Sequence, residues 1–262
     1  MMALGDTSSG SGWGDRNRPW PISVGDLDSW SYFRKTLDQP FGMSDAEFLR
    51  RLNRLDTVGP PAIIGKAFHS LIEQIMREAR RNPGVSYEID DFVARSDGYD
   101  VEFSTLDPRT GLRLEIDIPS YTVIEQDVEM LFDTPSGWVH LRGVVDGMVG
   151  NTIIDLKTKK VSSALSDIKI GRYQDSWQWR SYLAAMGDQC RRFDYLVFAC
   201  KYDTSAFASN SVCKVQIVGY HTFSCWRYPR LEQDLQGIAA ELASYLEEIG
   251  WEPPAKREMD TF

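Results

Sequence analysis

A chain of 262 residues with 42 % hydrophobic and 12 % aromatic content carries enough apolar surface for one sizeable domain with additions, or for two small ones. Its formal net charge of −9 excludes a nonspecific nucleic-acid coat, which would be basic, so contact with a polyanion has to come from a local strip of cations. No apolar run approaches membrane-spanning length, no basic and apolar signal pattern opens the chain, and the four cysteines lie at wide spacings without a CxxC pair, which together lead us to expect a soluble, cytoplasmic protein with reduced core thiols.

Residues 1–18, rich in Gly, Ser and Asp, read as a flexible tail, and 19–62 as an N-terminal helical segment. Asp26 to Leu37 fits a first helix with an aromatic face. Ser44-Asp45-Ala46-Glu47 is a capping box ahead of Phe48, Leu49 and Leu52, which predicts a second, short helix. Pro60-Pro61 is expected to break the chain before a long amphipathic helix from Ile63 to about Arg81, whose buried stripe is Ile64, Phe68, Leu71, Ile72 and Ile75. On a neighbouring stripe Gly65, His69 and Glu73 follow each other every fourth residue, so imidazole and carboxylate occupy consecutive turns and the glycine admits a close neighbour. Gly59 to Gly65-Lys66 is not a Walker A loop, because five residues separate the glycines and Ala67 stands where Ser or Thr is required.

Four strand-like runs follow, Tyr87 to Ala94, Tyr99 to Phe103, Leu112 to Ile118 and Tyr121 to Phe132, suggesting a mainly antiparallel sheet. Glu125 and Glu129 alternate along the last run; exposed strand acids are common, and they are left outside the site. Next, Arg142 to Val149 and Thr152 to Lys160 are joined by Gly150-Asn151, a two-residue hairpin turn. Counting back from the turn places Asp146 opposite Asp155 and Val144 opposite Lys157. Val145, Val149, Ile154 and Leu156 then form an apolar face, and the acids with Lys157 form the polar one. Like charges directly opposed on a sheet, with Cβ atoms roughly 5 Å apart, destabilise it. Either one acid holds a proton or a divalent cation sits between them.

Asp146, a short hairpin, and Asp155-Leu156-Lys157-Thr158 resemble the core of the PD-(D/E)xK nucleases, and Gly143-Val144-Val145-Asp146 with that second motif resembles their RecB-like and phage-type exonuclease branch. Gly65-x-x-x-His69-x-x-x-Glu73 on the preceding helix is similar to the same branch, which often opens with a helix beginning at a serine; the Cys-Pro that tends to follow is missing here. The resemblance implies an α/β, restriction-endonuclease-like core over residues 63–262, a central mixed sheet flanked by helices, with N-terminal helices and C-terminal additions. It implies His69, Asp146, Asp155 and the Leu156 carbonyl as ligands of one or two Mg²⁺ or Mn²⁺ ions, Lys157 as the group that positions the nucleophile, and Glu73 as a holder of water or of His69. It further implies a DNA exonuclease of recombination or repair, in the cytoplasm of a cell or of a phage host, the alternatives being a structure- or sequence-specific endonuclease on the same core and a nuclease-derived DNA-binding or assembly module that does not cut. A helicase or a single-strand annealing protein would be its companion, and homo-oligomers are compatible with it. Because every cysteine follows the nuclease motifs, no iron-sulfur cluster is expected.

Arg172 to about Gly187 reads as one helix with Gln178 and Tyr182 on one face. Gln-x-x-x-Tyr resembles that branch's further motif, which places the glutamine beside the site and the tyrosine on DNA. Lys159, Lys160, Lys169 and Arg172, gathered after the hairpin, are the natural phosphate-binding strip. Phe193 to Tyr202 and Ser211 to Phe223 extend the sheet, and Arg230 to Gly250 is a closing amphipathic helix.

Overall fold

The structure is a computed structural model and describes residues 13–56, 58–82, 87–116, 121, 123–162, 171–208 and 212–254. Its strands are β1 (Trp20–Ser23), β2 (Val93–Ser96), β3 (Tyr99–Ser104), β4 (Val123–Thr134), β5 (Gly137–Val149), β6 (Thr152–Lys160), β7 (Arg192–Tyr202) and β8 (Cys213–Trp226). The longer helices are α1 (Val24–Thr36), α2 (Asp45–Leu52), α3 (Pro60–Arg81), α4 (Trp177–Met186) and α5 (Leu231–Glu248). The eight strands form one sheet in the order β1-β5-β6-β7-β8-β3-β2, with β4 on the remaining edge of β5.

The sheet is mixed. β1 runs parallel to β5, β6 to β7 and β3 to β8, while the β4-β5-β6 meander is antiparallel. Antiparallel pairings outnumber parallel ones, and the central mixed sheet is the one expected; helices lie on both of its faces, as parallel strands require. Under α3 one core gathers Phe68, Leu71, Ile72, Ile154, Leu156 and Phe198; on the other face α1, α2, α4 and α5 close over Trp30, Val145, Ile153, Leu183, Phe193 and Leu242. The hairpin therefore has no single apolar face. Val145 and Ile153 go to one core, and Ile154 and Leu156 to the other.

Local chemistry explains the element ends. Ser23 and Ser44 each form a full capping box, with Asp26 and Glu47 respectively. Pro60 and Pro61 start α3 instead of breaking the chain before it, since a first-turn N–H has no intrahelical partner to lose. The single helix expected from Arg172 is interrupted. A short helical turn covers Arg172–Asp175, Ser176 is extended (ψ 141°), and α4 begins afresh with the Ser176 side chain accepting from the Gln178 N–H. Leu112 to Ile116 forms no strand beyond one bridge, Leu106 with Arg113, and residues 117–118 of that expected run lie outside the described residues. Tyr87 to Phe92 is irregular apart from a 3-10 turn at Ile89–Asp91. Of the expected tail, residues 13–18 are described: Trp13 stacks on Trp20 and Gly14 O accepts from Trp138 N. No helix among the described residues is long and apolar enough to cross a membrane.

Candidate active site

The expected register holds for Val149 with Thr152, Met148 with Ile153 and Gly147 with Ile154, and there the ladder stops. β4 runs along one edge of β5, and on the other edge β1 pairs with Val139 to Arg142. Between Gly143 and Asp146 that second edge is open. Asp146 and Asp155 stand at the next step of the register, where the strands part, so Val144 and Lys157 do not pair as expected. The Asp146 carboxylate fills the gap: its Oδ2 accepts from Leu156 N at 3.0 Å, replacing a ladder hydrogen bond.

The parting of β5 and β6 opens this point to both faces of the sheet. From α3, His69 Nε2–H donates to the Leu156 carbonyl at 2.8 Å and Nδ1 lies 3.4 Å from Asp146 Oδ1. From β6, Lys157 Nζ donates to Asp155 Oδ1 at 3.0 Å and lies 2.8 Å from Oδ2. From α4, the Gln178 amide donates to Asp155 Oδ1 at 2.8 Å. Two groups of contacts, His69 with Asp146 and Leu156, and Asp155 with Lys157 and Gln178, are thus joined through the β6 backbone and by the charges that they exert on each other.

Its electrostatics are those of carboxylates sharing cations. Burial raises Asp155 and the Asp146 charge adds to it, so that it is pushed up to about 6 despite Lys157. Burial opposes ionisation of Asp146 as well, but His69, Lys157 and the Leu156 N–H outweigh it and hold Asp146 below the usual carboxylate range. Burial pulls His69 and Lys157 down; Asp146 outweighs it for the imidazole, and Asp155, Asp146 and Asp28 outweigh it for the ammonium, so both rise. Lys157 is accordingly a cation here.

Asp155 Oδ2 is buried and accepts no hydrogen bond, Lys157 standing beside it without hydrogen-bond geometry. An orphaned carboxylate oxygen beside a second carboxylate, a backbone carbonyl and an imidazole is a donor set that suits a hard divalent cation. Among the described residues, however, no three His, Cys, Asp or Glu side chains are already grouped to hold one. His69 instead bridges two of the expected ligands, Asp146 and the Leu156 carbonyl.

The other expected residues are dispersed. Glu73 pairs with Arg77 and makes no hydrogen bond to His69. Tyr182 is 6 % exposed, stacked on Phe193 with its ring against Gly143, and its hydroxyl faces the Gln178 side chain and the Val144 N–H. It is packing beneath the site and not a surface that meets a strand. Lys159 continues the Asp155 and Lys157 row of β6, whereas Lys160 points to the opposite face over the Tyr202 ring. Arg172 is exposed on the short turn before α4, and Lys169 lies outside the described residues.

Tyr121 and Asp28 near the site were not anticipated, and Glu125, left outside the site on the sequence, also stands near it. Glu125 lies between the Ile124–Gly147 and Gln126–Val145 pairs of the β4-β5 ladder, itself unpaired there, with a left-handed φ of 46°. Burial and the Glu73 charge raise its pKa. Tyr121 packs on Gly147; its hydroxyl has no hydrogen-bond partner, and burial with the two aspartates pushes its pKa up. Asp28, on α1, approaches from the far side of Lys157.

No protein-family profile matches the chain, and no curated protein does. Three solved structures give weak overall likenesses. The crystal structure of SSO0001 is 11 % identical with a TM-score of 0.43, over 90 % of this chain and 79 % of that one. The complex of LHK-Exo with dAMP is 12 % identical with a TM-score of 0.41, over 87 % and 89 %. The alkaline exonuclease LHK-Exo from Laribacter hongkongensis is 12 % identical with a TM-score of 0.40, over 88 % and 89 %.

Proposed function

We propose that this chain is a metal-dependent deoxyribonuclease, an exonuclease that hydrolyses phosphodiester bonds from a DNA end in recombination or repair. The observation that carries this reading is the convergence of His69, Asp146, Asp155, Leu156 and Lys157, drawn from α3, β5 and β6, on the point where two strands part. The Asp146 and Asp155 carboxylates, the Leu156 carbonyl and a neutral His69 are the donors for one or two Mg²⁺ or Mn²⁺ ions, the imidazole favouring Mn²⁺. A bound ion supplies positive charge against the phosphoryl oxygens and a water of lowered pKa.

The chain's own groups do the rest. Lys157, an ammonium beside Asp155, orients the attacking water and neutralises charge developing on the phosphoryl oxygens. Gln178 fixes the rotation of the Asp155 carboxylate. Lys159, on the Lys157 side of β6, and Arg172 meet flanking phosphates. With no helicase motif in the chain, the free end comes from a partner motor or from the substrates of a single-strand annealing protein, and a homo-oligomer would hold the substrate on its site.

Because the described residues contain no ready three-ligand group, a second reading has support: a nuclease-derived DNA-binding module that does not cut. One experiment separates them. End-labelled linear duplex, single-stranded and closed circular DNA are incubated with Mg²⁺ or Mn²⁺ and wild type, Asp155→Ala or Lys157→Ala. Progressive loss of linear DNA alone, absent in both variants, is the expected result. Cutting of the circle makes the enzyme an endonuclease, and intact DNA throughout gives the binding module.

A further inference from the structure

The network at Asp155 does not end at Gln178. Ser176 Oγ accepts from Gln178 N at 3.0 Å and itself donates to Asp28, at 2.8 Å from Oδ2 and 3.1 Å from Oδ1. Asp28 Oδ1 also accepts from the Trp177 N–H. A relay therefore runs from α1 through the first turn of α4 to the carboxylate on β6, every link a direct hydrogen bond or a covalent neighbour.

The break in the helix at Ser176 explains why Asp28 is there. Starting α4 anew frees the Trp177 N–H and leaves a helix N-terminus whose own first turn contains no acidic residue. Asp28 supplies from another element the acceptor and the negative charge that such an end favours. The charged groups that face it are Lys157 and Arg180, both attractive. Gln178 is the second residue of the helix so anchored. Its side chain has three rotatable bonds, and its reach to Asp155 depends on where the helix starts.

We propose that Asp28 is a positioning residue: it clamps the start of α4 so that Gln178 holds Asp155 Oδ1 and leaves Oδ2 without a hydrogen bond. This deepens the nuclease reading and rests on it for the role of Asp155, but the clamp itself is measurable without any cleavage. Asp28→Asn keeps one acceptor for the Trp177 N–H while losing the charge and the second acceptor for Ser176.

The test is a double-mutant cycle of Asp28→Asn with Gln178→Ala, read by Mn²⁺-dependent cleavage and by NMR of the Gln178 side-chain amide, assigned by its loss in Gln178→Ala. Each single variant is expected to lower kcat by about 10-fold, the lower end for residues that orient ligands. The double variant is expected to be no worse than Gln178→Ala alone. Multiplication of the two effects would show that Asp28 acts independently of Gln178 and overturn the proposal. In the amide spectrum, the hydrogen-bonded wild-type resonances are expected to move to free-glutamine positions in Asp28→Asn. Unmoved resonances overturn the clamp, whether or not the wild type cuts DNA. Intact DNA with moved resonances sinks the nuclease reading alone. Should Asp28→Asn not fold, hydrogen exchange of the Trp177 amide in the wild type is the second measurement, and an amide that exchanges as freely as one without a hydrogen bond overturns the clamp.

Discussion

The ring of Tyr182 lies across the backbone of Gly143, so close that a β-carbon on residue 143 would fall 2.7 Å from Tyr182 Cε1 and 2.9 Å from Val24 Cγ2. Two stretches that look unrelated along the chain, the glycine three residues before Asp146 and the tyrosine four residues after Gln178, are in this way one packing contact. Gly143→Ala is expected to destabilise the fold by about 1–3 kcal/mol through overpacking. Gly65→Ala should not, because a β-carbon there meets only Thr158 Oγ1 at 3.7 Å, and it should gain up to about 1 kcal/mol of helix propensity. Urea unfolding of the two variants checks both signs.

Ion binding and turnover should separate by residue. Mn²⁺ at a hundred times its dissociation constant is expected to stabilise the wild type by about 2.7 kcal/mol, seen as a rise in melting temperature. His69→Ala and Asp146→Ala should lose that rise together with cleavage, having lost ligands. Lys157→Met should keep most of it while losing cleavage, since the ammonium acts on water and phosphate. A Lys157→Met protein that neither binds Mn²⁺ nor cuts would place the lysine among the structural supports of the site.

Acid stability depends on a group far from the site. Burial opposes ionisation of Asp90, yet hydrogen bonds from Ser104 and Thr105 and the charge of Arg113 outweigh it and depress its pKa. A carboxylate depressed in the folded state adds stability that is complete above its unfolded pKa of about 3.9 and is lost as pH falls through the folded value. Asp90→Asn should therefore be less stable than wild type at pH 7, by about 1 kcal/mol for hydrogen bonds in a partly exposed setting. The two proteins should converge below pH 4. Denaturant titrations at pH 7 and pH 3 measure the difference.

The two lysines of the expected strip should behave differently on DNA. Lys159 shares the row of Lys157, and Lys160 sits over Tyr202 on the other face. Lys159→Ala is expected to weaken binding of catalytically inert Asp155→Ala protein to linear DNA and to reduce the salt slope by about 0.9 for one lost phosphate contact. Lys160→Ala should leave the slope unchanged. Fluorescence anisotropy across salt concentrations reads both.

Much of the centre was legible because it is local. Gly150-Asn151 sets the hairpin register, which brings the count to Asp146 and Asp155 at the step where the ladder ends, while His69 was joined to them by the resemblance of Gly65-x-x-x-His69-x-x-x-Glu73 and not by its spacing. What escaped was long-range. The strands part after Gly147 because β1 takes the edge of β5 further along, and no feature within the hairpin announces a parallel strand arriving from residues 20–23. Asp28 lies 148 residues from Ser176, and helical periodicity cannot show that one helix will cap another. Tyr182 was placed on DNA from its motif, although its burial follows from the smallness of Gly143, a pairing visible only once β5 and α4 are packed.

The same interleaving governs how the protein comes into being. Tyr245 on α5 reaches Asp45 at the head of α2 across 200 residues, Trp251 reaches Asn53 across 198, and Arg34 of α1 pairs with Glu241. Contacts of such sequence separation demand closure of very long loops before any return in binding energy, and such topologies fold slowly. On the ribosome α1 and α2 are made well before α5, the helix that completes their core. A chain that has not yet added α5 thus holds both aspartates of the hairpin without the packed shell that surrounds them.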